Sequence, residues 1–216
     1  MRYKCLILDH DDTVVDSTKS VNFISFSEVL KKIRPDVDLS LEDFYRLNFD
    51  PGFMSLCFDV LKFSQDEMDF QVDHWKNYIS KHTPEVFEGM KDLLWDYVNL
   101  GGKIFVVSHS TEKDIIRHYK VHGLPSPEKV YGWEYEEAKR KPSTWPVEDI
   151  IRNYGFDRNE IIMVDDLKPG KIMADNSGIN FAAAGWAHNI SEIVNFMKEQ
   201  VNYYCHSVDD LRKIIL

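Results

Sequence analysis

The sequence is short of cysteine, of long apolar runs and of positive charge. Its three cysteines, Cys5, Cys57 and Cys205, are far apart and odd in number, which argues against a disulfide framework and against a cysteine-rich zinc site. No segment approaches the ~20 apolar residues that a membrane-spanning helix needs. The first apolar run, residues 5–8, follows a basic start but is too short for a secretory signal. Lys and Arg number 26 against 36 Asp and Glu, giving a net charge of −10, so neither nucleic acid nor an anionic membrane is expected as the main partner. Internal repeats and low-complexity segments are missing as well. The apolar and charged fractions are those of an ordinary globular protein, and the expectation is a reduced, cytoplasmic chain, a monomer or weak homodimer.

What is present is a rhythm of short buried runs. CLIL (5–8), IFVV (104–107), IIMV (161–164) and the weaker INFAAAG (179–185) and NYYCHS (202–207) read as strands of a parallel sheet covered on both faces. Helical stripes lie between them: Met90, Leu93, Leu94, Tyr97 and Val98, then Ile115, Ile116, Tyr119 and Val121, then Val147, Ile150, Ile151 and Tyr154, each closed by glycine. Strand and helix in alternation predict an α/β fold, an open Rossmann-like parallel sheet. The rhythm breaks between residues 17 and 84, where Val29, Leu30 and Ile33, and then Met68, Val72, Trp75 and Ile79, suggest helices around a core of Phe44, Leu47, Phe53, Phe58 and Leu61. The expected organisation is a catalytic core of residues 1–16 and 85–216 with a small helical cap, residues 17–84, inserted after the first strand.

Ligands of such sheets bind outside the carboxyl ends of the strands. The first strand runs into DHDDT, placing Asp9, Asp11 and Asp12 within four positions and Thr13 next to them, with no Lys or Arg among them. Like charges that close raise one another's pKa unless something positive intervenes. The second run ends in Ser108, His109 and Ser110. Lys141 stands in KRKPS, and the third run ends in Asp165 and Asp166. Acids, hydroxyls and one lysine on a single edge suit phosphoryl transfer, with a carboxylate nucleophile and a hard cation.

These four segments, DHDDT, the Ser108 strand end, Lys141-Pro142 and VDDLKPG, resemble the four motifs of the haloacid dehalogenase superfamily, in the same order. The insert rejoining at VFEGMKDLL is similar to the helical cap of the subgroup that contains β-phosphoglucomutase and phosphoglycolate phosphatase. The resemblance implies that Asp9 is a nucleophile forming an aspartyl-phosphate. It implies that Asp11 is the acid and base, and that Thr13, Ser108 and Lys141, with His109 beside them, bind the phosphate. Mg²⁺ would be held by Asp9, Asp11 and Asp166, with Asp165 as a further candidate ligand. Two features depart from the usual pattern. Asp12 stands where the family commonly has glycine, and Gly170 and Lys171 stand where a further acid is common.

The function expected is a Mg²⁺-dependent phosphatase acting on a small phosphorylated metabolite. A phosphomutase that returns the phosphoryl group to a sugar is the alternative. Dehalogenation would need neither Asp11 nor a metal, and a phosphonate-cleaving enzyme would need a marked cap lysine, which Lys19, Lys31 and Lys62 are not. A phospho-receiver module uses similar parts, but there the acid pair comes first in the chain, and a silent binding protein would not need Asp9, Asp11 and Lys141 together. The insert carries 8 basic against 11 acidic residues, −3 in all, which is no platform for a polyanion. His118 and His122, four apart with no third ligand, are expected as a surface pair, and Trp75 as cap core.

Overall fold

Central strands of a parallel sheet need apolar side chains on both faces, and the runs CLIL and IIMVD supply them. In the computed structural model, which describes residues 1–216, they form β1 (Cys5–Leu8) and β4 (Ile161–Asp165), buried at every residue. β2 (Lys103–Val107), β3 (Lys129–Tyr131), β5 (Asn180–Ala184) and β6 (Tyr203–Cys205) complete a six-stranded sheet in the order β3-β2-β1-β4-β5-β6. All pairings are parallel. The chain builds outward from β1 to β3, then returns to start the other half at β4, so the topological switch point falls between β1 and β4. Leu8 is level with Val106 on one side and Val164 on the other. The residues that follow β1 and β4 therefore emerge side by side.

The chain divides into two compact units, Met1–Asp16 with Glu85–Leu216, and Ser17–Pro84. The second unit is helical: α1 (Phe23–Ile33), α2 (Leu41–Phe49), the single turn α3 (Phe53–Ser55) and α4 (Gln65–Ile79). Ser64 and Glu67 form a capping box at the start of α4, each satisfying a backbone amide that the first turn leaves open. Phe26, Leu30, Phe44, Leu56 and Met68 make its core, with Leu47, Phe53, Phe58, Leu61 and Val72 packed against them. Trp75 is half-buried and donates its indole N–H to Asn22 Oδ1 at 3.0 Å.

In the first unit the helices are α5 (Met90–Asn99), α6 (Glu112–His122), α7 (Trp145–Tyr154), α8 (Lys168–Ser177), α9 (Ser191–Gln200) and α10 (Val208–Ile215). α6 starts at Thr111, whose hydroxyl accepts from the Asp114 amide at 3.2 Å. It stops at Gly123, whose φ of +64° is a left-handed conformation that glycine takes without a Cβ clash. No helix is long and apolar enough to cross a membrane.

Three features differ from the sequence expectation. β3 is a three-residue edge strand, too short to show a period. α8 begins on Lys168-Pro169-Gly170, a string that reads as a turn but is compatible with a first helical turn because proline there lacks only an amide that would go unpaired. On α6, Ile116 and Val121 are turned outward, 47% and 63% exposed, while Asp114, Ile115, His118 and Tyr119 are buried. His118 is thus not part of a surface pair. With Ile115 and Tyr119 it occupies steps of three and one, the inward stripe of a 3.6-residue helix, and it is 1% exposed.

The Tyr97 ring is fully buried and its hydroxyl donates to Tyr3 O at 3.0 Å, which leaves it nowhere to retreat. A Cβ at Gly102 would lie 2.3 Å from Tyr97 Cε1. Gly102→Ala should therefore lower stability by about 1–3 kcal/mol through overpacking. Urea unfolding at an unchanged m-value checks this, and a midpoint equal to that of the wild type would refute it.

Candidate active site

The loop leaving β1 is short and tightly tied. The Asp9 amide donates to Val164 O at 2.8 Å, fixing the residue to the neighbouring strand β4. His10 O accepts from the amides of Val14 at 2.9 Å and Val15 at 3.1 Å, and the Asp12 amide donates to Val15 O at 2.8 Å. Asp12 takes a φ of +53°, a conformation common for glycine and tolerated best by Asn and Asp among side-chain-bearing residues. The turn that glycine usually makes is made here by aspartate. Thr13 is fully buried, its carbonyl accepting from the Trp186 indole at 3.1 Å, while its hydroxyl has no hydrogen-bond partner.

Lys141 comes from the connection between β3 and α7 and ends between two carboxylates. Its Nζ lies 2.7 Å from Asp9 Oδ1 and 2.6 Å from Asp165 Oδ2, and the three side chains are 5%, 6% and 0% exposed. Burial alone would lower the lysine pKa, but Asp165 and Asp9 together hold it above its ordinary value, so the ammonium is retained. Burial pushes Asp9 up against the pull of Lys141, and the charges of Asp165 and Asp11 add to the rise. Asp166 is raised well above the usual carboxylate range, by burial first and then by Asp12, Asp165 and Asp9. One lysine does not balance this many acids.

A divalent cation would supply the missing charge. Ligand atoms of Asp9, Asp165 and Asp166 all lie within 4.8 Å of one another, and carboxylate oxygens are what a hard cation takes. Asp166 Oδ1 is buried without any hydrogen-bond partner. Asp165 differs: its Oδ1 accepts from the Leu167 amide at 2.8 Å and its Oδ2 from Lys141. The donor set fits a metal best at Asp9 and Asp166, with Asp165 occupied in holding the lysine.

Asp11 faces the end of β2. Its Oδ2 accepts from Ser110 Oγ at 2.6 Å and from Ser108 Oγ at 3.4 Å, and Ser108 Oγ in turn accepts from the Ser110 amide at 3.1 Å. The His109 side chain, exposed, donates from Nε2 to Lys141 O at 3.2 Å. The structure thus brings Asp9, Lys141, Asp165 and Asp166 into one cluster and connects Asp11 to Ser108.

Two contacts escaped the sequence reading. Ser110, placed at the strand end but given no role, makes the shorter bond to Asp11. Gly170 lies flush against Asp165, where a Cβ would come 2.2 Å from Oδ2. Nothing in a KPGK string announces that.

A carboxylate–lysine cluster at the switch point of a doubly wound sheet defines the class: an α/β enzyme working at the carboxyl edge of its strands. The family model for haloacid dehalogenase-like hydrolases matches residues 6–184, and the chain belongs to that family. Comparison with curated proteins gives no match. Solved structures with the same fold include a haloacid dehalogenase-like protein from Agrobacterium tumefaciens, with TM-score 0.77, 15% identity, and 99% of this chain and 97% of that one covered. Another is a predicted phosphoglycolate phosphatase from Haemophilus somnus, with TM-score 0.73, 15% identity and coverage of 100% and 99%. A third is CbbY from Rhodobacter sphaeroides in complex with xylulose-1,5-bisphosphate, with TM-score 0.70, 13% identity and coverage of 95% and 94%.

The contact at Gly170 carries a prediction. Gly170→Ala must displace the Asp165 carboxylate, which Lys141 and the Leu167 amide hold in place, or move α8. The expected cost is about 1–3 kcal/mol, read as a lower urea midpoint. A variant as stable as wild type, with the Lys141–Asp165 contact intact in its crystal structure, would contradict it.

Proposed function

We propose that the protein is a Mg²⁺-dependent phosphatase that hydrolyses a small phosphate monoester through an aspartyl-phosphate on Asp9. The observation that carries this reading is the buried Asp9–Lys141–Asp165 bridge beside the unpartnered Asp166 oxygen. A structural ion pair would not need a third buried carboxylate with nothing to bind. The names of relatives support the substrate class, since one is given as a phosphoglycolate phosphatase and another holds a sugar bisphosphate. The acidic balance of residues 17–84 suits a small ester better than a polyanion. A cytoplasmic location agrees with the three buried, unpaired cysteines.

The chemistry follows from the side chains. An Asp9 carboxylate oxygen attacks phosphorus and the ester P–O bond breaks. Asp11, oriented by Ser110 and Ser108, gives a proton to the departing oxygen. Asp11 then takes a proton from water as the water oxygen attacks phosphorus, inorganic phosphate leaves, and the Asp9 carboxylate is restored. Lys141 holds Asp9 in place and offsets the negative charge of the entering phosphoryl group. Thr13 and Ser108 supply hydroxyls for its oxygens. Mg²⁺, held by Asp9, Asp166 and the Asp11 carbonyl, would neutralise charge that gathers on the phosphoryl oxygens.

Two predictions test this. Chelation with EDTA followed by dialysis should abolish phosphate release, Mg²⁺ should restore it, and Ca²⁺ should inhibit, because it prefers more ligands in looser geometry. Full activity after chelation would exclude a metal requirement. With p-nitrophenyl phosphate, whose phenolate leaves without a proton, Asp11→Asn should release up to one product per enzyme quickly and then turn over slowly, with phosphate retained on the protein. An alkyl phosphate should be slow in both phases, and Asp9→Asn should show no burst with either ester. Rapid-quench assays read these phases, and substantial turnover by Asp9→Asn would rule out the covalent route.

A further inference from the structure

His10 has no part in the mechanism above, yet its side chain is completely buried. It turns from the Asp9–Asp11 loop onto α6, where its Nε2 lies 2.9 Å from His118 Nδ1. The two rings meet edge to edge and nearly coplanar, with centroids 5.2 Å apart and planes 21° from parallel. On the far side, His118 Nε2 lies 2.9 Å from a guanidinium nitrogen of Arg117. Arginine can only donate, so His118 Nε2 accepts. The His118 proton is then on Nδ1, which donates to His10 Nε2. His10 must carry its own proton on Nδ1, and that atom is buried without a partner. Phenylalanine at both positions would fill the same space without burying an orphaned imidazole donor, so packing alone does not account for the pair.

The placement supplies the missing reason. α6 is led by the segment that carries Ser108 and Ser110, and Ser110 Oγ holds the Asp11 carboxylate at 2.6 Å. Two ties therefore join the same two segments, one through the side chain of residue 11 and one through that of residue 10. The backbone bonds tie this loop to β4 and to itself, and the two side-chain ties add its orientation against the segment around α6. We propose that the His10–His118 hydrogen bond is a positioning device that sets the angle of the Asp9–Asp11 peptide and so aligns both carboxylates for phosphoryl transfer. This rests on the roles given to Asp9 and Asp11 above. His118 is a positioning residue, since it acts through His10 and touches none of the reacting atoms.

The first test is ¹⁵N NMR of the imidazoles in the wild-type protein at neutral pH. Both histidines should be neutral and protonated on Nδ1, and a His10 proton on Nε2 would overturn the assignment whatever the enzyme's activity. The second test is kinetic, with p-nitrophenyl phosphate and saturating Mg²⁺. His118→Phe keeps the ring but loses the donor, and kcat should fall on the order of 10-fold with KM within about twofold, as a small misalignment of reacting groups would give. His118→Asn places an amide nitrogen where Nδ1 stood and should recover most of that loss. Wild-type kcat in His118→Phe, or equal losses in the Phe and Asn variants, would overturn the proposal. Turnover by Asp9→Asn would instead sink the reading of the reaction and leave the tautomers untouched.

Discussion

A lysine ammonium buried between two carboxylates is the constraint on which the other features of the site depend. Asp9 and Asp165 leave neighbouring strands at the same level, because Leu8 pairs with Val164. Their charges are almost wholly withdrawn from water, so they cannot stand together without a cation between them. Lys141 reaches them across 132 and 24 residues of sequence, which requires β1 to lie beside β4 and the β3–α7 connection to return over the sheet edge. Gly170 has to be glycine so that α8 can start flush against Asp165. Such a bridge is weak evidence for stability, since buried ion pairs are often matched by well-packed apolar residues. Its contribution is to place one positive charge among acids that would otherwise take up protons, and to leave Asp166 unpaired beside it.

How much of this could be read in the sequence follows from where each signal is local. CLIL and IIMV were legible because a strand buried on both faces is apolar at every position, and the acids after them were legible as what a strand end delivers. β3 was not, since three residues carry no period. That Asp165 would hold the lysine could not be read at all: it depends on whether α8 turns the Leu167 amide and the Gly170 Cα toward it, and both are consequences of helix geometry after the motif. His118 was misread for a related reason. Histidines four apart suggest a solvent-facing pair, yet Ile115, His118 and Tyr119 share the inward face of α6, and a neutral imidazole can enter a core when each ring nitrogen has a use.

The insert between the two parts of the core was legible through a negative signal, the loss of strand rhythm after residue 16. The apolar residues that remained in that stretch had helical spacing, and the structure gathers Phe44, Leu47, Phe53, Phe58 and Leu61 into one cluster. In the structure Ser40 and Ser64, each with an acid three residues on, cap α2 and α4, a local signal that the periodicity reading did not use. Propensity, capping and periodicity agree there, which is the condition under which sequence reading works.

Agreement fails in the loop from Asp9 to Val15, and the failures are related. Asp12 holds a left-handed backbone that glycine would take more easily. His10 buries a donor with no acceptor. Each is a local cost, and such costs persist where the surroundings over-determine the conformation. Here the surroundings are the two amides on His10 O, the Asp12–Val15 bond, the strand bond of Asp9, and the contacts of residues 10 and 11 with the segment around α6. A looser loop would satisfy its own residues better and would hold Asp9 and Asp11 less firmly. The geometry of the two carboxylates is thus maintained by bonds at His10 and Asp12, neither of which is among the reacting groups proposed above.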